Sequence, residues 1–381
     1  MAVGLPTPSS NAPVTTFSID RDRREIDVSR QIARYIPDDS PWTVILMRAR
    51  KRKTQTVEFH SYDEEPGAWW TQVTSAVLAT DTDIPVLDAT IFRAKDVVKV
   101  PKTGEIMFVT ASNEATNTIS VIRAYAGEPA QDIPADTWIV RIGNAMEQNS
   151  RAPDERIVQP VKFTNYCQIF RTPFSQSDTS EAEALKTSET ERVRLRRLKA
   201  LEHRMDIERA LIWGRRKEDL ANRRYLTGGL DQFITTNVYD CQGELTEDKF
   251  EDMCATVFSL GPGRRIFLAS HYVLAQINKW ARDKIETRSG EETYGIRLRM
   301  YRSFHGDVYL VPSRTFQHDY AGMAFFLNMD QIEYRVLRDT RLWTNTQEND
   351  RDGWRDEYIT EAGLHVRLEK THMKVLNCLP S

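Results

Sequence analysis

A chain of 381 residues with 40% apolar and 28% charged side chains has material for two or three packed units and lies outside the compositions of disordered and membrane chains. No apolar run approaches the roughly 18 residues that a spanning helix needs. The 52 Lys and Arg nearly cancel 55 Asp and Glu, so a formal charge of -3 excludes a uniformly basic coat, and any basic surface is local.

Residues 1 to about 20 are rich in Pro, Ser and Thr and cannot bury enough apolar surface to fold alone, so residues 1–41 read as an arm that orders on something else. The start, MAVGLPTPSSNAPVTTF, lacks a basic segment followed by an apolar one, and no secretory leader is expected. Ile26, Ile32 and Tyr35 recur loosely at helical spacing before Pro37 and Pro41 interrupt them. Trp42–Met47 (WTVILM) reads as a short buried strand, and Thr56–His60 alternates like another. Between them RARKRK places Arg48, Arg50, Lys51, Arg52 and Lys53 in six positions.

From Tyr62 to Val86 the text is acidic and punctuated by Pro and Gly, with Trp69 and Trp70 adjacent, which predicts a projecting loop. Residues 94–143 hold four strand-like runs separated by turn residues at regular spacing, the pattern of a small β-module inserted in that loop. Ile157–Phe170 reads as a further extended pair. The strongest helical signal follows, at Glu181–Trp213, with Leu198, Leu201, Met205 and Ile212 on one face. Ser180 with Glu183, or Ser188 with Glu191, stands in capping-box positions, Arg204–Glu208 and Asp206–Arg209 read as surface ion pairs, and Gly214 is the expected stop. If continuous, this helix is a strut of roughly 50 Å.

Beyond Gly228-Gly229 the chain mixes helices (245–260 and 271–283) with buried strands (264–270, 306–313 and 322–329) suited to a central sheet. Residues 331–347 and 354–379 then read as long antiparallel strands. No fixed-period repeat is present.

The chemistry-bearing motifs are missing. Cys167, Cys241, Cys254 and Cys378 are too widely spaced for a zinc or redox motif and read as reduced core residues. There is no GxSxG, HExxH, Walker loop or GxGxxG. GPGRR (261–265) precedes a strand where a phosphate loop needs a helix, so it reads as a turn. ENDRDG (348–353) resembles half a calcium loop, but Ile359 occupies the place of the bidentate Glu, so a solvated hairpin is expected. His365 and His372 read as structural, and Asp252, His271 and Asp307 are the one set of residues that an enzyme in the mixed region would bring together. No catalytic, cofactor-binding or metal-binding residue is assigned. RARKRK offers a phosphate-binding run, the basis of an alternative reading as a DNA-binding protein through residues 48–53; its plainer reading is an exposed strand facing acids such as Asp63–Glu65. Trp69 and Trp70 lean towards an interface.

The order of parts resembles the major capsid proteins of tailed bacteriophages with the HK-ninety-seven-like fold. The segments that carry the resemblance are VPKTGEIMFVT (Val100–Thr110), NTISVIRAYAGEPA (Asn117–Ala130), NYCQIFRTPFSQSDTSEA (Asn165–Ala182), LEHRMDIERALIWG (Leu201–Gly214) and EAGLHVRLEKTHMKVL (361–376). The resemblance runs from about Trp42 to Leu379 and implies an α+β chain. Its parts are an N-terminal arm (1–41), an extended loop with an inserted β-module (42–156, module about 94–143), a peripheral domain with a long spine helix (157–225), an axial domain (226–330) and peripheral return strands (331–381). It implies a structural, non-enzymatic protein, without cofactor or membrane, that self-assembles into pentamers and hexamers of an icosahedral head around double-stranded DNA. Scaffold, portal and decoration proteins are the possible partners, the virion is the destination and the host cytoplasm the place of assembly. Some relatives carry an N-terminal scaffold segment; none is visible ahead of Trp42, so scaffolding is expected from a separate protein. Some relatives also join Lys to Asn covalently; no residue here takes that role, and no crosslink is expected. Trp69, Trp70, Arg48, Arg50, Lys51, Arg52 and Lys53 are the expected inter-subunit contacts.

Overall fold

The computed structural model describes residues 40–64, 67–150, 159–183, 190–261, 264–280, 285–286 and 299–379. The expected arm, apart from residues 40 and 41, and the loose helical spacing at 26–35 lie outside the described residues, as do Glu65, the middle of GPGRR and residues 184–189. The chain divides into two compact units, Met1–Ser61 with Thr164–Ser381, and Tyr62–Phe163.

The first unit opens with α1 (Pro41–Ala49), where a strand was expected. Pro41 occupies the first helical turn, where its missing N–H costs nothing, and Trp42, Thr43, Ile45 and Leu46 are all fully buried. An element buried all round shows no period, so six apolar residues did not separate helix from strand. β1 (Lys51–Lys53) and β2 (Glu58–Asp63) follow.

The second unit is one antiparallel sheet of six strands: β3 (Trp70–Gln72), β4 (Asp83–Pro85), β5 (Asp96–Lys99), β6 (Ile106–Asn113), β7 (Thr118–Ile122) and β8 (Trp138–Asn144), in the order β3-β8-β5-β6-β7-β4. The predicted loop at 62–86 therefore supplies both edge strands. It also supplies core: Val73, Val77, Ile84 and Val86 pack with Val98, Met107, Ile119 and Ile139. Three-residue strands between Pro and Asp are too short for their alternation to show in sequence.

The chain returns through β9 (Val161–Tyr166), which pairs with β2, and β10 (Gln168–Gln176). α2 (Asp178–Ala182), capped by the Ser177 hydroxyl, ends at Glu183 in extended geometry, and α3 (Glu191–Trp213) begins after Thr190. The predicted single helix is thus two; α3 has 23 residues and spans about 35 Å. Neither expected capping box forms. The buried face of α3 is His203, Ile207, Glu208, Leu211 and Ile212, while Leu198, Leu201 and Met205 are only half-buried.

Next come β11 (Lys217–Asp219), β12 (Arg224–Leu226), α4 (Leu230–Phe233), β13 (Val238–Asp240), α5 (Glu247–Phe258), β14 (Arg265–Ala269), α6 (His271–Trp280), β15 (Ile285–Glu286), β16 (Arg299–Arg302), β17 (Asp307–Pro312) and β18 (Ala324–Asn328). The last elements are β19 (Ile332–Trp343), β20 (Trp354–Val366) and β21 (Met373–Leu376). A four-stranded sheet, β1-β19-β20-β10, packs against α3 through β10 and β20. A mixed seven-stranded sheet, β13-β21-β18-β14-β17-β16-β15, is covered by α5 and α6, with Phe250, Met253, Val257, Val273 and Ile277 against Phe267 and Phe326. β14 and β18 are buried at every position, which explains their continuous apolar runs. The stretch expected as return strands (331–381) is divided, because β21 joins the seven-stranded sheet beside β13 and β18.

Cys241 and Cys378 form a disulfide across 137 residues of sequence, correcting the expectation of four reduced thiols. Each cysteine ends a strand of the neighbouring pair β13–β21, a proximity that only the fold creates. Cys167 and Cys254 remain free and buried.

Candidate assembly surfaces

β1 lies parallel to β19 at the edge of its sheet and is exposed at all three positions. Lysines on such an edge discourage unplanned strand pairing. The run is nevertheless largely neutralised locally: Arg50 donates to Asp330 at 2.7 Å, Lys51 pairs with Asp339, and Arg52 lies 3.8 Å from Glu333. The plainer reading of RARKRK holds, with these carboxylates as partners. The Lys51 hydrogen bond holds the Asp339 carboxyl below its ordinary range. Burial works to raise the Glu333 carboxyl, but the charges of Arg335 and Arg367 outweigh it and the group is lowered. Arg48, in the last turn of α1, is exposed.

Beside β1 is a cleft of about 300 Å³ lined by Lys51, Lys53, Val336, Leu337, Arg338, Asp339, Arg341, Trp343 and Ile359. Two register shifts between β19 and β20, at Val336/Arg338 and Arg338/Arg341, disturb the ladder along this wall. Sequence reading took 331–347 as a plain strand; its only signal was the polar interruption RDTR inside an apolar pattern.

In the other unit Trp69 and Trp70 are each 51% exposed, with ring centroids 4.7 Å apart. Trp138 on β8 adds a third ring, 6.2 Å from Trp70. The register Trp70↔Val140 and Gln72↔Trp138 places Trp70, Trp138 and Ile142 on the same sheet face, outward while Ile139 is buried. An apolar cluster of this size marks an interaction surface. The sequence showed the adjacent pair but not Trp138, which only the β3–β8 pairing brings close.

The segments that carry the resemblance turn out to be buried polar nodes. Asn165 of NYCQIF gives its amide hydrogens to the carbonyls of Leu364 (2.6 Å) and Gly228 (3.1 Å), and its oxygen accepts from the backbone N–H of Gly228 and Tyr166. Glu105 and Arg123, from the first two segments, form a bidentate pair at 2.8 Å, and Arg123 also donates to the carbonyls of Leu78, Asp81 and Gln131. Burial opposes the charge on Glu105, yet the Arg123 bond and the Ala124 and Gln131 amides leave its pKa lowered. Glu208, expected to pair with Arg204 at the surface, is buried instead. It accepts from the Thr43 amide and hydroxyl and from the Ser313 and Thr315 hydroxyls at 3.1–3.2 Å, binding α1, α3 and the turn after β17 together. Burial pushes its pKa up despite those bonds. Asp206–Arg209 does form, at 2.8 Å. Gly214 ends α3, where a Cβ would collide with the Ala210 and Thr227 carbonyls; one at Gly363 would strike the Tyr166 carbonyl.

The enzyme constellation does not converge. His271 follows the C-terminal end of β14 while Asp307 begins the parallel β17 beside Arg265, at the opposite end of the strand, and Asp252 is exposed on α5. ENDRDG is the exposed connection between β19 and β20, and among the described residues no group of three or more His, Cys, Asp or Glu is placed to hold a metal ion. In GPGRR, the buried Arg265 guanidinium donates back to the Val257 and Gly261 carbonyls. His372 accepts from the Asn328 amide at 3.0 Å and His365 lies against Glu333 and Arg335, both as structural residues.

Residues 9–378 match the SU10 major capsid protein family. A major capsid protein of Pseudomonas phage PaMx41 is 27% identical over 152 residues, 40% of this chain and 36% of that protein, so the alignment spans about a third of the relative's length. Among solved structures, the capsid of a native GTA particle superposes with a TM-score of 0.52 at 10% identity, covering 97% of this chain and 99% of that one. A structure of Mycobacterium phage Bobi gives 0.51 at 11% identity over 96% and 99%. These likenesses give the fold, the HK-ninety-seven-like α+β architecture of phage capsids. No described helix is long and apolar enough to cross a membrane. With nearly its whole length matched to one family of shell proteins, the chain belongs to the SU10 major capsid protein family.

Proposed function

We propose that this chain is the structural shell subunit of a tailed phage, assembling into pentamers and hexamers of an icosahedral head that encloses double-stranded DNA. The observation that carries the reading is the family match from residue 9 to residue 378. The four-stranded sheet with α3 then serves as the peripheral domain, the seven-stranded sheet as the axial domain, and the 62–163 unit as the extended loop with its module. The exposed indoles and the β1 cations are contacts between copies. Scaffold, portal and decoration proteins join in the host cytoplasm, and the product resides in the virion. The DNA-binding alternative through residues 48–53 has less support, because Arg50, Lys51 and Arg52 already face carboxylates. Light scattering and negative-stain microscopy of the purified chain over a range of concentration and salt test the proposal. Rings of five or six copies, or closed shells, are expected; a strict 44.0 kDa monomer under every condition, also with a co-expressed scaffold, refutes it.

A further inference from the structure

We propose that the cleft beside β1 receives a second copy of this chain, and that its occupant is that copy's acidic tryptophan segment, residues 62–70. The inference rests on the shell reading above and names the two surfaces that meet.

On the receiving side, Lys51, Lys53, Arg338 and Arg341 stand around a cleft whose other walls include Val336, Trp343 and Ile359. Lys51 is engaged by Asp339 and Arg338 by Glu361, but Lys53 and Arg341 form no ion pair among the described residues. Trp343 is 46% exposed. The site thus offers unneutralised positive charge beside apolar surface. On the giving side, three consecutive acids, Asp63–Glu65, precede Trp69 and Trp70, and Glu64 and both indoles are exposed. A segment that joins carboxylates to indoles suits such a cleft, because carboxylates meet the cations while the rings bury against Trp343 and Ile359. Duplex DNA suits it less: Asp339 stands among the cations, and about 300 Å³ holds side chains rather than a helix. The contact is heterologous, each copy giving and receiving, and such contacts close into rings.

The test mixes Lys53→Cys chains with Glu64→Cys chains under assembly conditions and treats them with a short bis-maleimide, with Glu114→Cys, in the exposed β6–β7 turn, as control. A dimer from the Lys53 and Glu64 pair but not from the control is expected. In parallel, Lys53→Glu with Arg341→Glu is expected to lower the assembled fraction at least about tenfold, and adding Glu64→Lys to restore most of it. Far-UV circular dichroism confirms that each variant folds. Absence of the mixed dimer while wild-type shells form overturns the inference, as does unchanged assembly of the Lys53/Arg341 variant. Loss of binding to a short DNA duplex with assembly intact overturns it too and makes the cleft a polyanion site. Failure of the wild-type chain to assemble shows before any variant is made; it sinks the shell reading and this inference with it.

Discussion

The two units handle buried charge in opposite ways. In the 62–163 sheet, charge is concentrated in one pair: the Glu105 side chain is fully buried, Arg123 is nearly so, and both sit amid Val, Ile and Met. In the four-stranded sheet it is spread over neighbouring carboxylates on β19 and β20. Asp356 is held by Arg192 and Arg196, Glu357 by Arg171, Glu361 by Arg338, and Glu333 by Arg335 and Arg367. A concentrated pair makes its unit dependent on one contact, whereas a spread network tolerates the loss of one member. The α3 arginines, which read in sequence as a solvated helix face, are in fact the clamp that holds this helix to β20.

The largest effect is therefore expected in the smaller unit. Arg123→Ala leaves the Glu105 carboxylate buried with only the amides of Ala124 and Gln131, and frees three backbone carbonyls. A loss of about 3–5 kcal/mol is expected, the cost of stranding a buried charge. Hydrogen exchange across residues 70–144 measures it directly: amides there lose protection while those of β14 and β18 keep theirs. Equal loss in both units would break the contrast.

An intermediate effect comes from pH in the first unit. Burial pushes His372 and His365 down to about 4 from 6.5; Arg265 adds to this at His372, and Arg335 and Arg367 add to it at His365, while Glu369 and Glu333 act against it. Both imidazoles are neutral in the folded protein and take up protons more readily when unfolded. Their contribution is full above pH 6.5 and is lost as pH falls towards 4, up to about 3 kcal/mol each from the size of the shift. Glu208, raised by burial, acts the other way, since its protonation on acidification favours the folded state. Urea midpoints from pH 7.5 to 4.5 are expected to fall, and His372→Gln to flatten the curve; a flat wild-type curve would refute the assignment.

What the sequence revealed followed the length of each pattern. β5 to β8, α5, α6, β14, β17 and β18 were legible because alternation or apolar runs persist over several residues. α1 was missed because its residues are buried on every side, and β3 and β4 because they are too short. Glu208 shows the limit of a local rule: spacing of four made Arg204 its natural partner, but burial against Thr43 and Ser313 decided otherwise. The Cys241–Cys378 bond, the Trp138 ring and the Arg338/Arg341 wall all depend on residues brought together from distant parts of the chain or by a register shift, and no window of sequence contains them.

The smallest effect sharpens the comparison from the other side. Arg192 donates to Asp356 through Nε and Nη2 and rests over the Trp354 ring at 4.5 Å. Removing it leaves Asp356 with Arg196 and the Asn345 amide, so the fully buried carboxylate keeps a counter-charge. Arg192→Ala is expected to cost only about 1 kcal/mol, the worth of one charge-assisted bond and a partly exposed ring contact. Removing Arg196 as well takes away the last cation, and the double variant is expected to lose clearly more than the sum of the two single ones. Thermal or urea unfolding of the four proteins completes the cycle. Simple additivity would mean that the two arginines act independently and that the charge of this sheet is no more shared than that of Glu105 and Arg123; a surplus in the double variant is the signature of a carboxylate that either arginine alone can hold.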